Sequence, residues 1–150
     1  MKTLILVRHG AYDERGLTPN GVTSMKALRV VLEKYLGPTA AFYSSDAART
    51  IQSAAILADG TGCDVCQQEF LYSSQDTKLD CESMMQLIEA SAADVFVAVT
   101  HYEWVNYFPA KLFARQGWGE MSQLFHVDKA EALVIDFETR AVTYVRPLQL

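Results

Sequence analysis

Positive charge is scarce in this chain. Thirteen lysines and arginines face eighteen aspartates and glutamates, for a formal net charge of −5. General nucleic-acid binding needs a basic face that neutralises phosphates, so no nucleic-acid partner is expected. A site for an anion must instead gather its cations locally, in one cleft. Long apolar runs are missing as well. No stretch approaches the roughly 20 apolar residues of a membrane span. The run Leu4-Ile5-Leu6-Val7 is too short for the core of a signal peptide, and no small-residue cleavage site follows it. The expected location is cytoplasmic, with no membrane partner. Cysteine is sparse and odd in number: Cys63, Cys66 and Cys81. That count does not suggest a disulfide framework. Cys63-Asp64-Val65-Cys66 is formally CxxC, but no second pair completes a four-ligand zinc site. It also falls in an expected short strand, whereas a redox pair sits between a strand and a helix start. No metal or cofactor is expected.

Apolar residues make up 50% of the 150 residues and charged ones 21%, an ordinary balance for a globular chain. This length suits a single domain spanning residues 1–150, which buries roughly 68–70% of the surface its unfolded chain exposes.

Hydrophobic periodicity orders the elements. Leu4 to Val7 reads as a strand covered on both faces. Thr18-Pro19 starts a helix, with Thr as cap and Pro at the first helical position. Val22, Met25, Leu28, Val31, Leu32, Tyr35 and Leu36 continue it to the stop at Gly37-Pro38. Ala40 to Tyr43 is a second strand. Ser45 or Asp46 caps a second helix with an apolar stripe of Ile51, Ala54, Ala55 and Ala58. A short strand is expected over residues 64–66, a loop over 72–78, and a helix capped by Asp80 carrying Met84, Leu87 and Ile88. Asp94 to Thr100 is the clearest central strand and runs into His101. A helix with Trp104, Val105 and Phe108 follows, kinked or restarted at Pro109. Residues 115–131 read as irregular. Ala132 to Phe137 and Ala141 to Val145 read as a hairpin at a sheet edge. Alternating strands and helices predict a three-layer α/β/α fold with a mostly parallel central sheet.

In such folds ligands bind at the carboxyl ends of the strands. Three polar clusters fall there: Arg8-His9-Gly10, Ser44 to Arg49, and His101. Two arginines and two histidines in one crevice make an anion site, because the guanidinium fork matches phosphate oxygens. A helix beginning near Tyr102 adds backbone N–H groups and the positive end of its dipole. A neutral histidine in such a site can be a nucleophile towards phosphorus.

The same residues carry a family resemblance. Val7-Arg8-His9-Gly10 resembles the RHG signature of the histidine phosphatases (phosphoglycerate mutase-like proteins). Leu17-Thr18-Pro19-Asn20-Gly21 resembles their LTxxG segment, and Ser44 to Ala54 their SSxxxRxxQTA segment. Val97 to His101 resembles the strand delivering their second catalytic histidine. The resemblance implies a phosphoglycerate mutase-like fold, with His9 as the phosphorylated nucleophile. Arg8 and Arg49 would hold phosphate oxygens and His101 would bind the phosphoryl group, with no metal required. Many members carry a glutamate about twenty residues after the second arginine, which makes Glu69 the candidate proton donor. Tyr102-Glu103 stands where many members have glycines, so Tyr102 narrows or stacks in the pocket and Glu103 is a rival acid. Little chain separates Glu69 from His101, which resembles the compact SixA-type phosphohistidine phosphatases. The expected activity is metal-independent hydrolysis of a phosphomonoester or phosphoramidate, on a small molecule or a phosphoprotein. A non-catalytic phosphate-binding or interaction module, and a phosphomutase, remain alternatives. Oligomeric state is not readable from these features.

Overall fold

Two apolar runs that alternate nothing with solvent become the centre of the sheet. The computed structural model describes residues 2–72 and 78–147. Its strands and helices, in chain order, are β1 (Thr3–Arg8), β2 (Tyr12–Asp13), β3 (Gly16–Leu17), α1 (Pro19–Leu32), β4 (Ala40–Ser44), α2 (Ala48–Ala58), β5 (Val65–Gln67), α3 (Cys81–Ala90), β6 (Val95–Thr100), α4 (Tyr102–Arg115), β7 (Ala132–Asp136) and β8 (Val142–Val145). The main sheet has the order β5-β4-β6-β1-β7-β8. The pairs from β5 to β1 are parallel, and β7 joins β1 antiparallel before turning back into β8. The expected α/β/α fold is therefore observed, with the C-terminal hairpin at one edge.

Every residue of β6 is buried, as a strand covered on both faces requires. Alternate residues of β1 feed two cores. Leu4 and Leu6 pack with Met84, Ile88, Trp104, Phe108 and Leu112, from α3 and α4. Ile5 and Val7 pack with Met25, Leu28 and Leu57, from α1 and α2. Burying each such side chain stabilises the fold by about 1.5–3 kcal/mol.

Side-chain caps set the starts of α1 and α3. Thr18 accepts from Gly21 N–H at 3.1 Å, and Pro19 occupies the first helical position of α1. Asp80 accepts from Ser83 N–H at 3.0 Å at the start of α3. Other boundaries differ from the expectation. The α-helix of α1 ends at Leu32 and tightens into a 3₁₀ turn over Glu33–Tyr35 before Gly37. The cap position of α2 is Ala47, with no side-chain cap bond, because the Ser45 hydroxyl is engaged elsewhere. Its buried face is Thr50, Ser53, Ala54, Leu57 and Ala58, so Ala55 turns out to solvent. Pro109 is buried inside α4, which runs through it without a restart. The short hairpin β2–β3 is an addition to the expected elements. Most of the loop expected over residues 72–78 lies outside the described residues.

Residues 116–131 hold no helix or strand, yet side chains anchor them. Asn106 of α4 accepts from Val127 N–H at 2.8 Å and donates to its carbonyl at 3.4 Å. Ala130, at φ +58°, donates its N–H to the carbonyls of both Arg8 (3.1 Å) and His9 (3.0 Å). This loop is thereby tied across the end of β1. Among the described residues no helix is long and apolar enough to cross a membrane.

Candidate active site

Sheet register brings the polar clusters together. β6 lies between β4 and β1, with Val99 opposite Ser44 and Thr100 opposite Arg8. The next residue on each strand, Ser45, His101 and His9, then leaves the sheet at one place. His9 N–H bonds to Thr100 carbonyl at 3.2 Å, and Ser45 N–H to Val99 carbonyl at 3.3 Å. The His9 and His101 ring centroids are 5.3 Å apart, and each residue is 4% exposed.

His9 is held from both sides. Its Nδ1 lies 2.9 Å from Gly10 carbonyl. A carbonyl only accepts, so Nδ1 carries the proton and Nε2 presents its lone pair. Gly10 N–H in turn donates to the buried Ser53 hydroxyl at 3.1 Å, which anchors the turn to α2. A side chain at Gly10 would meet Gly21 carbonyl at 2.9 Å and Met25 at 3.0 Å, so the turn accepts only glycine at this packing. Burial, then Arg49, Arg8 and Lys129, oppose a positive charge on His9. They outweigh its bond to Gly10 and lower its pKa to about 4. Burial, His9, Arg49 and Arg8 together lower that of His101 to about 3. Both rings are therefore neutral near pH 7, and His9 Nε2 is free to act as a nucleophile.

The two guanidinium groups near this pair have separate partners. Arg8 donates to Val127 carbonyl at 3.3 Å, pairs with Asp128 at 3.5 Å, and lies 5.3 Å from the Tyr102 ring centroid. Arg49 donates to His101 Nδ1 at 3.4 Å and lies between Tyr12 (4.5 Å) and Tyr72 (5.7 Å). Each arginine keeps a buried Nε–H with no partner among the described residues. An unsatisfied buried donor costs about 1–3 kcal/mol, which a bound anion within reach would relieve. α4 begins at Tyr102 with no side-chain cap, so its first-turn N–H groups add to the same positive region.

Arg8, His9, Arg49, His101 and Tyr102 are thus assembled as the sequence places them. Glu69 is not in direct contact. It is exposed on the 3₁₀ turn Glu69–Leu71, and its carboxylate makes no hydrogen bond or ion pair among the described residues. That turn nevertheless delivers Tyr72, whose ring meets His101 at 4.8 Å. Glu103 lies in the first turn of α4, where the helix dipole suits a carboxylate. Arg15 sits in the exposed β2–β3 turn.

Sequence reasoning missed Tyr12, Tyr72, Ser45, Asn106 and Lys129. Tyr12 follows RHG by two positions, and that proximity was a usable signal. The others depend on long-range packing. Lys129 lies 5.6 Å from the Tyr12 ring centroid, placed there by a loop with no periodicity. A separate cleft of about 520 Å³ lies between α1 and α2, lined by Lys26, Val30, Ala55 and Ile56 among others. Arg29 and Asp59 at its edge pair with each other at 3.3 Å, and it gathers no histidine or cysteine. Among the described residues no group of three or more His, Cys, Asp or Glu is placed to hold a metal ion.

The mostly parallel sheet with its antiparallel edge, flanked by helices, is a phosphoglycerate mutase-like fold. The family model of the histidine phosphatase superfamily (branch 1) matches residues 4–72, which bears out the resemblance read from RHG and the segments after it. Solved structures extend the shared fold to nearly the whole chain. A mycobacterial glucosyl-3-phosphoglycerate phosphatase in complex with VO3 superposes with TM-score 0.72 at 15% identity, covering 99% of this chain and 100% of its own. A phosphoserine phosphatase from Entamoeba histolytica, a histidine-to-alanine mutant bound to phosphoserine, gives 0.68 at 15%, covering 96% and 95%. A Nakamurella multipartitia protein provisionally designated phosphohistidine phosphatase SixA gives 0.66 at 22%, covering 99% and 94%. No curated protein matches the chain by sequence.

Proposed function

We propose that this protein is a phosphatase that acts through a phosphohistidine on His9, without a metal. The observation that carries this reading is the His9 imidazole, buried and neutral with Nδ1–H spent on Gly10, so that Nε2 keeps its lone pair while the charges of Arg49 and Arg8 act on the ring.

Arg8 and Arg49 hold the non-bridging oxygens of the substrate, and the N-terminus of α4 at Tyr102 adds to the positive field. Phosphoryl transfer asks mainly for this positioning and charge neutralisation. The His9 Nε2–P bond forms as the bond from phosphorus to the leaving group breaks, with the leaving atom taking a proton. Water then attacks phosphorus, the N–P bond breaks, and phosphate leaves. His101 lies beside the transferred group throughout. Glu69 is the proposed proton donor, reaching the pocket from the turn that ends in Tyr72, and Glu103 is its rival.

The substrate is a phosphomonoester or phosphoramidate, on a small molecule or a phosphoprotein; protein phosphohistidine fits the SixA-like size of the fold. The exposed rim of Tyr12 (44%), Tyr72 (42%) and Lys129 is the surface such a substrate meets first. One assay decides between catalysis and mere binding. Wild type and His9→Ala are tested on para-nitrophenyl phosphate with chelator present. Turnover in wild type, lost in the variant, is expected. Absence of turnover in a folded wild type that still binds vanadate would refute catalysis and leave a phosphate-binding module.

A further inference from the structure

His101 makes two hydrogen bonds whose directions can be settled by counting protons. At one end, Arg49 Nη2 lies 3.4 Å from Nδ1. A guanidinium only donates, so Nδ1 must offer a lone pair. At the other end, Nε2 lies 2.8 Å from the Ser45 hydroxyl. Ser45 Oγ is also 2.5 Å from Thr50 Oγ1. Thr50 Oγ1 has two carbonyls in range, Ala47 at 2.9 Å and Ser45 at 3.1 Å. Carbonyls only accept, so the single Thr50 proton goes to them. Ser45 must then give its own proton to Thr50, which leaves it only lone pairs for Nε2. The Ala47 N–H, at 3.4 Å, takes up the remaining acceptor capacity of Ser45. Both ends give one answer: the proton of His101 is on Nε2. Reversing it would set Nδ1–H against a guanidinium N–H and break the Thr50 bonds to its carbonyls.

We propose that Ser45, oriented by Thr50, is a positioning residue that locks His101 in the Nε2–H tautomer and so keeps Nδ1 as the acceptor that holds the Arg49 guanidinium in place for the phosphoryl group. The first helical turn of α2 supplies the fixed end of this chain of bonds. All three polar side chains are buried, with Ser45 and Thr50 at 0% exposure, so water does not compete for the bonds. With one N–H of Arg49 donated to Nδ1, its other N–H groups are oriented for a phosphoryl oxygen. On the other tautomer Nδ1–H would face the Arg49 N–H and push the guanidinium from this place. The catalytic half of this inference rests on the phosphatase reading; the tautomer half does not.

The test combines nitrogen NMR and kinetics. In wild type, one-bond and long-range ¹⁵N–¹H correlations should show a protonated Nε2 and an unprotonated Nδ1 on His101. Thr50→Ser keeps the hydroxyl and should keep this pattern. Ser45→Ala and Thr50→Val should shift the ring towards a mixture of tautomers. With an aryl phosphate, kcat should fall at least about tenfold in those two variants, with KM moving less, and Thr50→Ser should stay near wild type. A proton on Nδ1 in wild type overturns the proposal, as does an unchanged tautomer in Ser45→Ala. If wild type has no turnover, the phosphatase reading fails while the NMR result still decides the tautomer. The wild-type spectrum needs no variant to fold.

Discussion

A buried histidine that stays neutral leaves a mark on stability as the pH falls. The pKa of His9 is about 4 in the folded protein, against about 6.5 for an ordinary histidine. Its folded value lies below its unfolded value, so the unfolded chain binds more protons between these limits. Stability from this residue is therefore complete above pH 6.5 and is lost as the pH falls towards 4. At 1.36 kcal/mol per unit, the 2.5 units amount to about 3.4 kcal/mol at full loss, and about 2 kcal/mol of this is lost between pH 7 and pH 4.5. Urea unfolding of wild type and His9→Gln at both values isolates the effect, since the carboxylates that also titrate there cancel in the difference. Wild type should lose about 2 kcal/mol more than the variant over this interval. Parallel losses, within about 0.5 kcal/mol, would refute the claim that His9 is buried without a proton-stabilising partner.

Other perturbations follow from the same geometry. Arg49→Ala removes a charged donor worth about 1.5–3 kcal/mol, so vanadate should bind roughly 10- to 150-fold more weakly by calorimetry; equal affinity would take Arg49 out of the anion site. Gly21→Ala would set a Cβ 2.1 Å from Ala11 carbonyl, and should cost about 1–3 kcal/mol in urea unfolding. An unchanged midpoint would deny the close contact between α1 and the RHG turn. Leu6→Ala, in the fully buried core, should cost about 2–5 kcal/mol. Glu69→Gln should slow an alkyl phosphate more than an aryl phosphate; equal losses for both would remove it as the proton donor.

The sequence announced the site better than it announced its supports. Arg8, His9 and His101 were legible because each ends an apolar run, and a strand's end is where this fold class puts its chemistry. Arg49 was legible from its place on the helix after the second strand. Ser45 was read as a helix cap, a sound inference from local propensity, but tertiary bonding to His101 and Thr50 claimed its hydroxyl and left Ala47 at the cap. Pro109 was read as a kink or a restart, yet it is buried inside α4 and the helix runs through it without restarting. The hairpin at Tyr12 to Leu17 is two residues per strand, too short for periodicity to register. Lys129 and Asn106 belong to contacts across a loop with no repeating pattern, and only the folded chain reveals them.

The position of β1 has a kinetic side. This strand carries the nucleophile and is among the first residues of the chain, yet its two neighbours are β6 and β7, built from residues 95–100 and 132–136. Until the distant end of the chain arrives, Leu4 to Val7 are an unpaired apolar edge, the kind of segment that pairs wrongly with other chains. Closing such long loops is slow because their entropy is lost before the contacts form. Refolding should therefore show β1 amide protection and competence to bind vanadate appearing together, late, and aggregation that rises with protein concentration before they do. The arrangement that gives His9 its seclusion also makes its strand wait for shelter.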